Sequence, residues 1–269
     1  MADESDNSSF ESKLSKAVGS LRKTFEGVTT DLSGEQKSVG ASDKTWVSWL
    51  ILLTFWIVWG VALMIGSLAI YLALYSAGIS QGLAISVSGL LIYIILSPLI
   101  LLFIYVDGSL DRIKEMLKFG SKKRALILLL GIPIVVTIID FILSVVYGFA
   151  WFGIFGEPSI STDWGTSWES STVDIALLFL SVAIVVPIVE ELMFRGYILD
   201  AINRKHGDWT AIIWSSILFG LIHIDPFVGG QAFMGGIIYG WIRIRTGSLL
   251  PSIAGHMMWN MLALMLTYL

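Results

Sequence analysis

The sequence contains no cysteine among its 269 residues, and only 14% of its residues are charged. Without cysteine the chain can form no disulfide, no thiol nucleophile and no cysteine-ligated metal site. A soluble domain carries about 25% charged residues, so this deficit argues against an ordinary soluble protein. Hydrophobic residues make up 55% of the chain, mostly in long runs that do not alternate with polar residues. Such runs predict an all-α, polytopic bundle of transmembrane helices.

The first 45 residues have no such run and are rich in serine and glycine. No apolar core follows the initial methionine, so we do not expect a secretory leader. Gly19 and Gly27 weaken a helix, which leaves a partly disordered tail as one interpretation. The alternative is an amphipathic helix that lies on a lipid surface or pairs with a partner helix. It is indicated by apolar residues at every third or fourth position: Phe10, Leu14, Val18, Leu21, Phe25, Val28 and Leu32.

Seven apolar segments follow this polar tail, and we expect each of them to cross the membrane, with an eighth helix as an alternative count. Their predicted bounds are 46–76, 82–106, 125–152, 172–198, 209–224, 229–244 and 249–269. The fifth and sixth segments are short for a span, which needs about 20 residues.

Basic residues fall on one side of the membrane if these segments alternate in direction. The loop 153–171 after the third segment contains neither lysine nor arginine. Loops rich in lysine and arginine stay in the cytoplasm, so we predict a cytoplasmic N-terminus and an external C-terminus. The residues that decide this are Lys37, Lys44, Arg112, Lys114, Lys118, Lys122, Lys123, Arg124, Arg204, Lys205, Arg243 and Arg245.

Ionisable residues stand near the end of the fourth segment, where a charge is costly and indicates function. Glu191 and Arg195 are four residues apart and can pair on one helix face. Glu190 points about 100° away from that pair and could accept a proton from water. Alternatively, both glutamates are solvated at the cytoplasmic end of the helix.

Two of the three histidines also lie in apolar segments. Phe219 and His223 share a helix face, as do His256 and Asn260, because four residues separate each pair. Carboxylate and imidazole together can activate water, and imidazole with amide can donate hydrogen bonds to an oxyanion. Taken separately, the histidine could be structural and the His–Asn pair could be an interhelical hydrogen bond.

Two further features of the apolar segments predict packing. Asp140, in the third segment, should face the bundle and be hydrogen-bonded or protonated. Its role is either structural or that of a residue lining a substrate cavity. The sixth segment contains Gly236 and Gly240 at a small-xxx-small spacing, which predicts a close approach of neighbouring helices.

Three motifs together resemble the CAAX-protease-and-bacteriocin-processing family, which includes the type II CAAX prenyl endopeptidases. They are Glu-Glu-x-x-x-Arg at 190–195, Phe-x-x-x-His at 219–223 and His-x-x-x-Asn at 256–260. Residues 245–253 also resemble the segment before the last family motif. The resemblance covers about residues 172–265. Together with the polar tail and the first three apolar segments, it predicts three parts: a cytoplasmic tail at 1–45, N-terminal transmembrane helices at 46–171 and a catalytic core at 172–269.

The resemblance implies an intramembrane endopeptidase that uses no cofactor and no metal. Glu190 would activate the hydrolytic water together with His223. His256 and Asn260 would stabilise the oxyanion of the tetrahedral intermediate. Supporting positions are Glu191, Arg195 and Phe219.

The expected partners are membrane lipid and a protein or peptide substrate, prenylated at its C-terminus in the CAAX branch or related to bacteriocins in others. We expect a multi-pass protein of a prokaryotic plasma membrane. Nucleic-acid binding is not expected, because the basic residues are spread over the loops. One alternative is a zinc metalloendopeptidase with Glu190, His223 and His256 as ligands. Another is a transporter or non-catalytic scaffold, although the two halves show no repeat.

Overall fold

The computed structural model describes residues 16, 49–106, 110–156 and 171–268. The predicted amphipathic helix of the tail and most of the loop 153–171 lie outside the described residues. Every regular element within them is helical, which confirms the all-α class. The helices belong to one compact unit, apart from residues 245–247.

We number the described helices in chain order and treat uninterrupted helical stretches as one helix. They are α1 (Trp49–Ser76), α2 (Gln81–Val106), α3 (Leu110–Met116), α4 (Lys122–Phe155), α5 (Thr172–His206), α6 (Asp208–Leu221), α7 (Pro226–Thr246) and α8 (Leu250–Tyr268).

Four of these helices, α1, α2, α4 and α5, are long and apolar enough to cross a membrane. The chain is therefore a polytopic integral membrane protein. The helices α6 and α8 are also apolar but shorter, with apolar stretches at Asp208–Leu221 and Leu250–Leu266. The crossing of the membrane by α6, α7 and α8, and with it the count of seven spans, stays a prediction.

The end of the fourth predicted segment at residue 198 is wrong, because α5 continues to His206. Gly207 then turns the chain with a φ of 79°, which suits glycine. With an end at 198, Glu190 would lie about 12 Å from the C-terminal end of its helix and His223 about 21 Å from the start of the next. With the observed bounds these distances are about 24 Å and 22 Å. Glu190 and His223 therefore lie at similar distances from the turn that joins α5 and α6.

The helix α5 contains two π-helical stretches, Phe179–Val185 and Leu192–Ile198. Pro187, between them, has no N–H to donate to the preceding turn. The second stretch begins directly after Glu191. Wide turns of this kind occur frequently at functional sites, and here one adjoins the predicted catalytic Glu190 and supporting Glu191.

The largest hydrophobic core surrounds the middle of α5. Leucine and isoleucine side chains on the outer faces of α1 and α4 are exposed, as expected for surfaces that contact lipid tails. The core itself is formed by α1, α2, α3, α5 and α6 through Phe55, Trp59, Ile100, Ile104, Ile113, Met193, Phe194, Ile198, Ile212 and Phe219.

Candidate active site

The paired carboxylates of α5 are buried inside the bundle. Glu190 is 4% exposed, and Glu191 and Arg195 are fully buried. The alternative that both glutamates are solvated at a helix end is therefore wrong. Arg195 Nη1 lies 3.1 Å from Glu191 Oε1, so the predicted i,i+4 pair is present. A buried pair of this kind holds its partners strongly, because neither charge can turn to water.

Glu190 contacts Tyr93 and shares the His256 imidazole with Glu191. Tyr93 of α2 donates its hydroxyl to Glu190 Oε1 over 2.6 Å. Glu190 Oε2 lies 3.9 Å from His256 Nε2, which is too long for a direct hydrogen bond. One carboxylate oxygen is therefore anchored, and the other faces the imidazole with acceptor capacity left.

His256 lies between α5 and α7. Its Nδ1 is 3.1 Å from Glu191 Oε1, and its ring stacks on Tyr239 with centroids 5.6 Å apart and planes 15° apart. Tyr239 donates its hydroxyl to Asp140 Oδ2 over 2.8 Å. A proton on His256 Nδ1 would point at Glu191, so Nε2 would be the nitrogen that faces Glu190.

Asp140 has the surroundings expected of a carboxylate in a membrane helix. It is 2% exposed and accepts the Tyr239 hydroxyl. The expectation that Asp140 faces the bundle with a partner is confirmed.

His223 lies outside a helix, which corrects the predicted fifth segment. The helix α6 ends at Leu221, and His223 follows in a turn. Its Nδ1 lies 2.9 Å from the carbonyl oxygen of Phe219. If Nδ1 donates there, Nε2 is left as an acceptor. The next residue, Ile224, has a φ of 62°, a strained conformation for a β-branched residue. The turn therefore fixes the direction of the imidazole.

The ring of Phe219 connects the two histidines. It meets His223 edge-on with centroids 5.1 Å apart and His256 with centroids 5.7 Å apart. The Arg195 guanidinium lies 4.3 Å from the centre of the same ring. The predicted packing of Phe219 beside the imidazole is confirmed, and the same ring also contacts the second histidine.

Asn260 makes an interhelical hydrogen bond, as one of the two sequence interpretations expects. Its Nδ2 donates to the carbonyl oxygen of Val182 over 2.8 Å. In a π-helix that carbonyl would accept from the residue five positions later, which is Pro187 and has no N–H. Asn260 therefore supplies the donor that the proline lacks, and its amide still has a second N–H.

Glycines allow the helices around the site to approach closely. A Cβ at Gly236 would lie 3.0 Å from Arg195 Nη2, and one at Gly240 would lie 3.2 Å from Leu199 Cδ1. The predicted role of the glycines of α7 in close helix packing is therefore confirmed, and the helices that approach them are α5 and α6.

Tyr93 and Tyr239 were not predicted as site residues. Each is a tyrosine in an apolar helix, and no spacing within its own helix indicates its carboxylate partner. Trp56 of α1 was not predicted either. Its Nε1 donates to the carbonyl oxygen of Leu218 over 3.0 Å, close to the end of α6. These contacts join α1 and α2 to the site.

No group of three or more histidine, aspartate or glutamate side chains within the described ranges is arranged to hold a metal ion. The zinc alternative, with Glu190, His223 and His256, therefore has no assembled ligand set in that part of the chain.

Residues 172–262 match the model of the family described as type II CAAX prenyl endopeptidase, Rce1-like. The predicted resemblance is confirmed over this segment, which holds all the predicted site residues and excludes Tyr93 and Asp140.

Two curated relatives share part of the sequence. The "Uncharacterized 24.3 kDa protein" of Escherichia coli is 30% identical over 94 residues, which are 33% of this chain and 43% of the relative. The "Putative membrane peptidase YdiL" of Bacillus subtilis (strain 168) is 30% identical over 86 residues, which are 32% of this chain and 35% of the relative. The matches thus cover less than half of each relative. No solved structure matches at comparable significance.

Proposed function

We propose that this protein is an intramembrane endopeptidase that hydrolyses peptide bonds with a glutamate-activated water. The observation that carries the proposal is the buried Glu190, whose Oε2 faces His256 and is not used in a direct hydrogen bond. The match of residues 172–262 to a prenyl endopeptidase family supports the same activity.

The reaction begins with a water between Glu190 and the scissile carbonyl. Glu190, assisted by His223, takes one proton from that water, and the remaining hydroxide attacks the carbonyl carbon. The carbonyl oxygen becomes an oxyanion in a tetrahedral intermediate. As the C–N bond breaks, the proton passes to the leaving nitrogen, and the products are a carboxylic acid and an amine.

His256, when it carries a proton on Nε2 as well as on Nδ1, and Asn260 would donate hydrogen bonds to the oxyanion. Asn260 uses one N–H for Val182, so its second N–H is the one proposed for the oxyanion. Donors that are already held in place cost no reorganisation when the charge develops. The hydrogen bond to Val182 therefore serves catalysis, because it fixes the amide.

Glu191 and Arg195 would hold His256 rather than react. Glu191 accepts from both Arg195 Nη1 and His256 Nδ1 through the same oxygen. The imidazole is thereby tied to α5, the helix that carries Glu190. Phe219 completes this arrangement, because its ring separates the two imidazoles.

The proposed substrate is a protein or peptide with a prenylated C-terminal CAAX sequence, which the matched family cleaves. A peptide related to bacteriocins is the other substrate class that the family resemblance implies. We propose that the site is reached from the cytoplasm and the lipid, with the N-terminus cytoplasmic.

The proposal is tested with the purified full chain in detergent and a prenylated CAAX peptide. Glu190→Gln keeps the size of the side chain but removes its basicity, so cleavage should fall by about 10²–10⁴. Asn260→Ala should lower kcat by about 10²–10³. The matched control is Glu115→Gln, the same change at an exposed residue that pairs with Lys118, which should cleave like the unchanged protein.

Wild-type cleavage by a folded Glu190→Gln variant would contradict the glutamate mechanism. Cleavage of an unprenylated membrane peptide, but not of the prenylated one, would keep the mechanism and replace the substrate class. A folded protein that cleaves neither peptide would favour the transporter or scaffold alternative.

A further inference from the structure

Tyr93 contacts the proposed general base from outside the segment that matches the protease family. It lies on α2, whereas the matched segment begins at residue 172. Its hydroxyl oxygen is 2.6 Å from Glu190 Oε1. This distance lies at the short end of the range for O–H···O hydrogen bonds, so the hydroxyl is held directly on this oxygen.

The tyrosine ring is itself held in place. It meets the ring of Trp59 edge-on, with centroids 5.9 Å apart and planes 84° apart. Trp59 is completely buried in the core. The Tyr93 hydroxyl that reaches Glu190 is therefore held in place by the packing of the Tyr93 ring on α2 against the Trp59 ring on α1.

The anchor decides how the carboxylate is turned. The terminal torsion of a glutamate is broad and is not fixed by packing alone. With Oε1 bound to Tyr93, Oε2 is the oxygen left towards His256 Nε2 at 3.9 Å. Without the hydroxyl, the Glu190 carboxylate could rotate about its terminal torsion and contact the His256 imidazole instead of the water.

We propose that Tyr93 is a positioning residue that holds Glu190 in the orientation required for water activation. This inference rests on the proposed function. It makes α1 and α2 part of the active site, whereas the family match covers residues 172–262.

The kinetic test compares two tyrosine-to-phenylalanine variants on the same helix. Tyr93→Phe removes only the hydroxyl and keeps the ring against Trp59. Tyr105→Phe is the matched control, because Tyr105 is 67% exposed near the C-terminal end of α2. With the prenylated CAAX peptide, Tyr93→Phe should lower kcat about 10–100-fold, the worth of one hydrogen bond to a charged group. KM should stay within about twofold, since positioning acts on the reacting groups.

If the hydroxyl had only a structural role, its removal would not lower kcat while leaving KM unchanged. Equal kinetics for Tyr93→Phe and Tyr105→Phe, with Glu190→Gln inactive, would overturn the positioning role and leave the proposed function standing. Full activity of Glu190→Gln would instead overturn the proposed function itself.

A second measurement needs no substrate. The melting temperatures of Tyr93→Phe, Glu190→Ala and the double variant form a cycle in detergent. If the two side chains act through each other, the double variant should lose less than the sum of the single losses. Additive losses would show that the hydroxyl and the carboxylate are not coupled and would overturn the inference.

Discussion

Gly220 on α6 and Gly229 on α7 bring two helix backbones into contact, and we expect alanine at Gly220 to separate them. A Cβ at Gly220 would lie 2.7 Å from the carbonyl oxygen of Gly229 and 3.2 Å from Phe233 Cβ. In the reverse direction, a Cβ at Gly229 would lie 2.8 Å from the carbonyl oxygen of Gly220. The obstacle is backbone, which cannot rotate away as a flexible side chain can.

The size of the effect follows from these distances. An ordinary C···O contact is at least about 3.3 Å, so the backbones would have to separate by about 0.6 Å. Overpacking costs about 1–3 kcal/mol, and the helix preference of alanine returns about 0.5–1 kcal/mol. We expect a net loss of about 1–2 kcal/mol. His223 lies three residues further on, and a shift of about 1 Å can cost about 10²-fold in rate, so cleavage should fall at least about tenfold.

Gly131→Ala is the matched control for this substitution. Gly131 has helical backbone angles in α4, and a Cβ there meets nothing within 4 Å. It should gain about 0.5–1 kcal/mol from the same chemical change. Thermal unfolding in detergent and peptide cleavage are measured for both variants. A Gly220→Ala protein as stable and as active as Gly131→Ala would refute the reasoning from backbone contact.

Three further outcomes are expected. Because the chain has no cysteine, single cysteines at Ser121 and Ser159 can be labelled in sealed vesicles. They should react from opposite sides, and labelling of both from one side would contradict the predicted topology. Ile224→Gly should raise the melting temperature, because glycine adopts a φ of 62° without the roughly 1–2 kcal/mol cost of a side chain; a lower melting temperature would show that the turn is not strained. Cleavage should survive dialysis against a chelator, whereas one zinc per chain, with activity lost on its removal and restored on its return, would favour the metalloendopeptidase.

The motif residues could be recognised from the sequence because their spacing is local. A separation of four residues places Glu191 beside Arg195 in any α-helix or similar helix, and the structure has that pair. The all-α membrane class follows equally directly from the long apolar runs. Neither inference needs to know which helices are neighbours.

The bounds of α5 and the position of His223 required the tertiary structure. The apolar run ends near residue 198, but Asn203, Arg204 and Lys205 can continue a helix, so the helix stops only at Gly207. Loss of hydrophobicity marks the end of an apolar segment, whereas a helix ends where the backbone leaves helical dihedral angles, here at Gly207.

The apolar runs and the motif spacing predict the membrane class, the family motifs and the ionisable residues within apolar segments. The contacts between these groups could be learned only from the packed helices: Tyr93 with Glu190, and Asp140 with Tyr239 beneath His256. These partners lie about 100 residues apart in the chain. Local spacing describes one helix, whereas a contact between helices depends on how all of them pack, and this is why the anchors of the site could not be identified from the sequence.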